Sequence, residues 1–367
     1  MVIARLSAQL HKKNQQGVAL ITVMLIVALA AIIATQMTTR LQTQLQRSTN
    51  IAFNQQAYWY ALGAEAFTKR VLIKAFKEQS HVTHLDQIWA AQETSYPVDF
   101  GEISGVVTDL QSCLNLNALH PKATTKEQAA SANDNNTSAS LNTAANTENV
   151  TKRVGRGSNQ VLPAATVLEA LIINLHIAGV GNFEAEAMVN ALSDWLDDDD
   201  IITGSGGAED NDYAAREFPY LAANNYLTSV NELRLIEHFT PAVILALTPY
   251  VCVLPQNAQH LININTLDVE KPELLQALLD LSVEDAQEIL NSRGSSGYKN
   301  VEDFYKLPEL SKVSMSQWQR AQFVVDSQYF QLKANARFNH SYFAMRSIMK
   351  VNDTQQIQVI SRTIGRN

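Results

Sequence analysis

Asp194, Asp197, Asp198, Asp199, Asp200, Glu209, Asp210 and Asp212 place eight carboxylates within 19 residues that contain no lysine, arginine or histidine. Mutual repulsion at that density calls for a cation or for complete solvation. The donors are hard oxygens at irregular spacing, on a stretch made pliable by Gly204, Gly206 and Gly207. Such a set suits Ca2+, which accepts six to eight oxygens including backbone carbonyls, better than Mg2+ or Zn2+. The EF-hand frame, with its regular aspartates and a glutamate in twelfth position, is absent.

Other chemistry has less support. His81, His84, His238 and His260 are scattered, and there is no Gly-x-Ser-x-Gly, His-Glu-x-x-His or phosphate-binding loop. The expectation is a protein that is not an enzyme, with a membrane-anchored, calcium-dependent hydrolase as the competing reading that a hydrolase screen would expose. Cys113 and Cys252 do not form a CxxC pair, so redox and zinc chemistry have no basis. In an oxidising compartment they are candidates for one disulfide, which would add about 4 to 5 kcal/mol in the loop-entropy model. Two separate buried thiols are the alternative.

The chain of 367 residues carries a net charge of −8, a balance that repels nucleic acid. Residues 261–304 resemble a helix-hairpin-helix unit of the kind found in DNA-uptake receptors, and Ala178-Gly-Val-Gly181 is a second hairpin-like turn. Between the first pair of helices, however, stands Leu279-Asp280-Leu281-Ser282-Val283, with a carboxylate where a phosphate would need Gly-x-Gly. No nucleic-acid partner is expected.

The elements that must position the acidic loop begin at the amino terminus. Val18 to Ala34 is uncharged and apolar and follows a leader holding Arg5, Lys12 and Lys13 without acids. As a helix it is about 25 Å long, enough to anchor the chain, and the basic flank places the leader in the cytoplasm. Removal of the leader leaves a net charge of −11. Apolar residues then recur at helical spacing from Leu41 to Ile73, so one helix is expected over 18–76. Leu85 to Ala91 predicts a short helix and Tyr96-Pro97 a turn, before an extended ribbon over Phe100 to Leu110 opens a sheet. Residues 77–118 form the first part of this head. Residues 119–160, rich in Ala, Thr, Ser and Asn, predict a disordered insertion.

Helical patterns return over 161–249, where Leu162 to Trp195 is followed by the acidic loop and by helices at Ser229 to Phe239 and Pro241 to Leu247. Residues 250–260 read as a strand returning to the sheet. Residues 261–325 predict the helix-hairpin-helix-like unit, with helices at Pro272–Leu279, Ser282–Ser292, Val301–Lys306 and Ser314–Gln319. Residues 326–367 predict an antiparallel meander, with strands over Gln328–Phe338, Ser341–Val351 and Gln355–Ile364 completing the head. The fold class is therefore α+β: a long amino-terminal helix on an antiparallel sheet, with a large α-helical domain inserted between the strands.

Gln15-Gln16-Gly17-Val18-Ala19-Leu20-Ile21-Thr22-Val23 resembles the type IV prepilin signal, in which a membrane peptidase cuts after the glycine and leaves the apolar helix on the mature chain. The resemblance implies cleavage between Gly17 and Val18 by a prepilin peptidase, N-methylation of Val18, and a pilin-like head. Most such subunits carry glutamate as the fifth mature residue, and here Thr22 stands in its place. In that respect, and across nearly the whole chain except 121–160, the sequence resembles the GspK-type minor pseudopilins of bacterial type II secretion systems.

The family resemblance implies residence in the inner membrane with the body in the periplasm, at the tip of a pseudopilus whose assembly is primed with GspI- and GspJ-like partners. A minor pilin of a type IV pilus or DNA-uptake apparatus is the second reading. Trp195-Leu-Asp197-x-Asp199, Gly207-Ala-Glu209-Asp210 and Pro219-Tyr220-x-Ala-Ala-Asn224 match the family's calcium-binding stretch. Asp197, Asp199, Glu209, Asp210, Asp212 and Asn224 are the implied side-chain ligands, with the backbone carbonyl of Ile202 as a further one. The ion's role would be structural.

Overall fold

The computed structural model describes residues 18–79, 81–91, 93–121, 163–352 and 354–365. Gly17, the leader and most of the predicted disordered insertion lie outside the described residues.

Helix α1 (Val18–Glu78) is a single run of 61 residues, about 90 Å long at 1.5 Å per residue. It holds no proline. Threonines in its first half return their hydroxyls to the helix itself, as Thr35 does to Ala31 O at 2.8 Å and Thr38 to Ala34 O at 2.9 Å. That half is long and apolar enough to cross a membrane and is uncovered by the rest of the chain. Burial begins at Ala57 and follows Ala61, Glu65, Thr68, Leu72, Ala75 and Phe76, a stripe at steps of three and four residues facing the sheet.

Strands β1 (Thr94–Val98) and β2 (Gly101–Asp109) form a hairpin, followed by the two-residue β3 (Leu114–Asn115) and a short 3-10 turn over Leu116–Leu119. The insert contains α2 (Pro163–Asn174), α3 (Asn182–Leu196), α4 (Asp210–Ala214), α5 (Pro241–Leu247), β4 (Val251–Cys252), β5 (Ile262–Asn263), α6 (Glu273–Leu279), α7 (Val283–Ser292), α8 (Val301–Tyr305), α9 (Gln317–Ala321) and β6 (Phe323–Val324). The chain closes with β7 (Tyr329–Phe338), β8 (Ser341–Val351) and β9 (Ile357–Ile364). The main sheet has the order β1-β2-β7-β8-β9, antiparallel throughout, with β2 pairing β7 from Gly101 opposite Phe338 to Asp109 opposite Phe330. The first and last parts of the chain thus build one head, as the α+β reading requires.

One face of β7 and β8 packs Phe330, Leu332, Ala334, Met349 and Val351 against Leu72 and Phe76 of α1. Farther down the helix, Ala57 and Ala61 meet Ala336, Phe343 and Met345. Alanines on both sides let the helix lie close to the sheet.

Four expectations are corrected. Tyr96-Pro97 is not a turn but part of β1, an edge strand, the one place in a sheet where the missing proline N–H costs no ladder bond. The segment at 250–260 does not return to the main sheet: β4 pairs in parallel with β3, Leu114 opposite Val251 and Asn115 opposite Cys252. Buried Asn115 directs this, its Oδ1 accepting Leu254 N at 3.0 Å and its Nδ2 donating to Asn257 O at 2.8 Å. The two helical units share one core, in which Leu168 and Leu171 join Leu274, Leu278 and Phe304, because α2 packs directly on α6. Leu119 and His120, assigned to the insertion, are buried, Leu119 within that core.

Two of the contacts that hold the insert to the head lie at the end of β2 and just after it. Cys113 and Cys252 are bonded to each other with their Cα atoms 5.8 Å apart, beside a small cluster of Leu110, Leu254, Tyr329 and Ile348. Asp109, at the end of β2, is wholly enclosed and accepts bonds from Thr266 Oγ1 at 2.6 Å, Ser327 Oγ at 2.5 Å and Gln111 N at 2.8 Å. Burial lifts its carboxyl to about 6 against these bonds.

Candidate metal centre

Helix α3 delivers the first acids. Its apolar positions Ala185, Met188, Leu192 and Leu196 face the core, and the same buried turn carries Asp194 and Trp195 inward. Asp197 ends the helix in extended backbone, its N–H still bonded to Ser193 O. Asp199 then turns the chain by accepting Ile201 N at 2.9 Å.

The chain next folds back over α3. The two oxygens of Asp194 each accept Thr203 N at 3.1 Å, Asn190 Nδ2 donates to Ser205 O at 3.0 Å, and His238 Nε2 bonds Gly206 O at 2.9 Å. A Cβ on Gly206, whose φ is +84°, would stand 2.4 Å from Ala187 Cβ, and one on Gly207 would stand 2.3 Å from Asp194 Oδ2. Glycine is therefore required for the loop to lie this close to the helix. Ile201 and Ile202 point outward and are exposed.

The returning chain starts α4 at Glu209, whose N–H is held by Asp212 Oδ2 at 3.0 Å. Asp210 Oδ1 accepts Ala222 N at 2.9 Å and draws in the segment that carries Asn224. Tyr213 is fully buried, its ring 5.1 Å from Trp195 and 5.3 Å from Tyr220, with Arg216 lying over both tyrosines and paired with Glu237. This aromatic stack fixes α4 against α3.

The result is a cluster in which one oxygen each from Asp197, Asp199 and Glu209 lies within 4.8 Å of the others. Ca–O bonds are about 2.3 to 2.6 Å, so oxygens around one ion are separated by at most about twice that length. Among the described residues, Asp197 Oδ1, both oxygens of Glu209 and Asn224 Oδ1 are buried and accept no hydrogen bond. Buried oxygens without donors carry a large desolvation cost unless a cation meets them. Burial, then the charges of Asp194, Asp197 and Asp199, pushes the Glu209 carboxyl up to about 8. Burial, then Asp199 and Asp194, pushes Asp197 up to about 7. A divalent cation reverses both effects, and the donor set of carboxylate and amide oxygens fits a hard one.

Of the sequence-predicted ligands, Asp197, Asp199 and Glu209 come together. Asn224 presents an unpartnered buried oxygen, and Asp210 and Asp212 each give one oxygen to a backbone amide. Asp194 and Tyr213 support the site without belonging to the implied ligand set. Asp194 precedes Asp197 by three residues and so lies on the same side of the helix, which is the signal that could have marked it. Tyr213, between Asp212 and Ala214, carries no such signal.

Residues 112–256 and 262–326 match two sequence families, both described as type II secretion system (T2SS) protein K. The type II secretion system protein K of Aeromonas hydrophila is 36% identical over 289 residues, covering 78% of each chain. That of Dickeya chrysanthemi is 35% identical over 358 residues, covering 96% of this chain and 98% of the relative. Among solved structures, a chain of the GspK-GspI-GspJ complex from enterotoxigenic Escherichia coli matches with a TM-score of 0.69 at 28% identity, covering 88% of this chain and all of that one. With a single amino-terminal anchor helix, a pilin-like head and the helical insert shared with these relatives, the chain belongs to the type II secretion system protein K family and is a minor pseudopilin.

Proposed function

We propose that the subunit caps the tip of a periplasmic pseudopilus and primes its assembly together with GspI- and GspJ-like subunits. It acts by assembly and catalyses no reaction. A prepilin peptidase removes the leader after Gly17, Val18 becomes the methylated amino terminus, and α1 holds the subunit in the inner membrane with its body in the periplasm before the fibre forms.

Thr22 is the observation that carries this reading. Its hydroxyl bonds back to Ala19 O at 2.9 Å, inside its own helix, so no carboxylate is offered to the amine of a subunit above. The insert supports the same placement, since a body joined to the head at Cys113–Cys252 and at Asp109 enlarges the end of the head remote from the anchor. Calcium, held by Asp197, Asp199, Glu209 and Asn224 with the Ile202 carbonyl, closes the acidic loop onto α3 and stabilises the insert.

Mass spectrometry of the membrane-extracted protein, co-expressed with its GspI- and GspJ-like partners, tests the proposal. A mature chain beginning at Val18 that co-purifies with both subunits is expected. A chain retaining Met1 to Gly17, or one that recovers neither subunit, would contradict it.

A further inference from the structure

The main sheet has two edges, and they are finished differently. β1 is five residues long and carries Pro97, which takes one donor out of the outward row and blunts that edge. β9, at the other edge, runs eight residues from Ile357 to Ile364 with neither proline nor glycine. Among the described residues β8 is its one partner strand. The outer row of β9 backbone N–H and C=O groups is therefore a template for a further strand.

A bulge decides what lies beneath that edge. Ile348 pairs with Ser361 and Met349 with Val359, so Ile360 is an extra residue in the ladder. Strict alternation would set Arg362 on the face opposite Ile357 and Val359. The extra residue brings all three to the face turned towards α1, where Ile357 and Val359 pack beside Leu72 and Phe76 and Arg362 reaches Glu65. Ile360 turns to the other face, beside Tyr329 and Ile348. A cavity of about 440 Å³ lies along β9, lined by Lys69 of α1 and by Lys350, Ile357, Val359 and Arg362 among others.

The charge in this cavity is positive. Lys69 Nζ stands 3.6 Å from Glu65 Oε1, and Arg362 grips the same carboxylate, so two cations share one buried acid. Among the described residues Nη1 of Arg362 donates to no acceptor, on a side chain that is 47% exposed. Lys350 adds a third cation, its ammonium over the Tyr329 ring at 5.4 Å. In a chain of net charge −8 this is a local cationic excess beside an unpaired strand edge.

We propose that β9 takes up an extended polypeptide segment as a sixth strand of the sheet, with a carboxylate side chain of that segment seated between Lys69 and Arg362 and an apolar one beside Ile357 and Val359. Backbone pairing supplies the affinity, and the cavity selects the side chains. Alternate side chains of a strand share a face, so the segment that fits carries its acid and its apolar residues at alternate positions.

The probe is an acetylated, amidated octapeptide alternating threonine and valine, with glutamate in place of one central valine and a fluorophore on a terminal side chain. It is titrated into the full chain in detergent and followed by anisotropy. Saturable binding is expected, about tenfold weaker when glutamine replaces the glutamate and about tenfold weaker for Lys69→Gln, which leaves the Arg362–Glu65 pair in place. N-methylation of alternate amides separates strand pairing from simple charge attraction. Methylation along the peptide edge that meets β9 should abolish binding, and methylation along the other edge should leave it unchanged. Absence of saturable binding, equal affinity of the glutamate and glutamine peptides, or equal affinity of the two methylated forms would overturn the inference.

Discussion

Arg362 of β9 grips Glu65 of α1 with two parallel bonds, Nε to Oε2 at 2.7 Å and Nη2 to Oε1 at 2.9 Å, across 297 residues of sequence. Glu65 lies inside the helix–sheet interface and also accepts Ser347 Oγ at 2.7 Å. Burial raises its carboxyl, but the Arg362 and Ser347 bonds and the charges of Arg362 and Lys69 outweigh this and hold it below the usual range. Arg362→Gln should therefore cost about 2 to 4 kcal/mol, discounted for the half-exposed guanidinium, because it strands a buried carboxylate. Glu65→Gln with Arg362→Gln should cost less than Arg362→Gln alone. Chemical denaturation of the three variants checks this, and equal losses would dismiss the pairing.

Replacing Cys113 and Cys252 together by serine should lower stability by up to about 5 kcal/mol, the loop-entropy value for a separation of 139 residues. The loss should fall on the joint between insert and head. Limited proteolysis is expected to release the insert sooner, while the helix–sheet core under Leu72 and Phe330 stays protected.

His260 supplies a pH dependence of definite sign. It is buried, and burial depresses its imidazole to about 4. The folded protein resists protonation that the unfolded chain accepts below pH 6.5, so this stability is complete above 6.5 and is lost as pH falls towards 4. The full effect is about 3 kcal/mol. Asp109, raised to about 6, acts with the opposite sign between pH 6 and 3.8. The wild-type curve must therefore be compared with that of His260→Gln, which keeps the Asp109 contribution: the difference should be constant above pH 6.5 and move against the wild type below it.

The elements most legible in the sequence are those whose pattern is local. The apolar run from Val18, the helix opened by Thr240-Pro241, and β8 over Ser341–Val351 lie where periodicity and turn residues place them. The segment at Ser229–Phe239 tightens to a 3-10 helix over Val230–Leu235, and Leu85–Ala91 to one over Ile88–Ala90. The β3–β4 ladder was illegible because two residues on each side carry no periodicity, and its partner choice is set by Asn115. At the metal centre the density of acids was plain from composition, but which of them point inward depends on Asp194 and on the close approach at Gly206 and Gly207.

Glu209→Gln separates the site's two states. Without calcium it removes a buried, donor-free carboxylate repelled by Asp194, Asp197 and Asp199, so the metal-free variant should be more stable than the metal-free wild type. With calcium the order should reverse, because the variant forfeits a charged ligand and binds at least about tenfold more weakly. Isothermal titration paired with melting curves would show the crossing, and an unchanged affinity would exclude Glu209 as a ligand.

The most direct test of the calcium centre is the melting temperature of the detergent-purified protein in EGTA, then with Ca2+ or Mg2+ restored. A ligand at about a hundred times its dissociation constant stabilises by about 2.7 kcal/mol, which for a domain the size of the insert shifts melting by about 5 to 10 °C. The expected result is a loss of that size in EGTA, regained with Ca2+ and not with Mg2+. A melting temperature indifferent to EGTA would contradict a structural calcium ion at Asp197, Asp199 and Glu209.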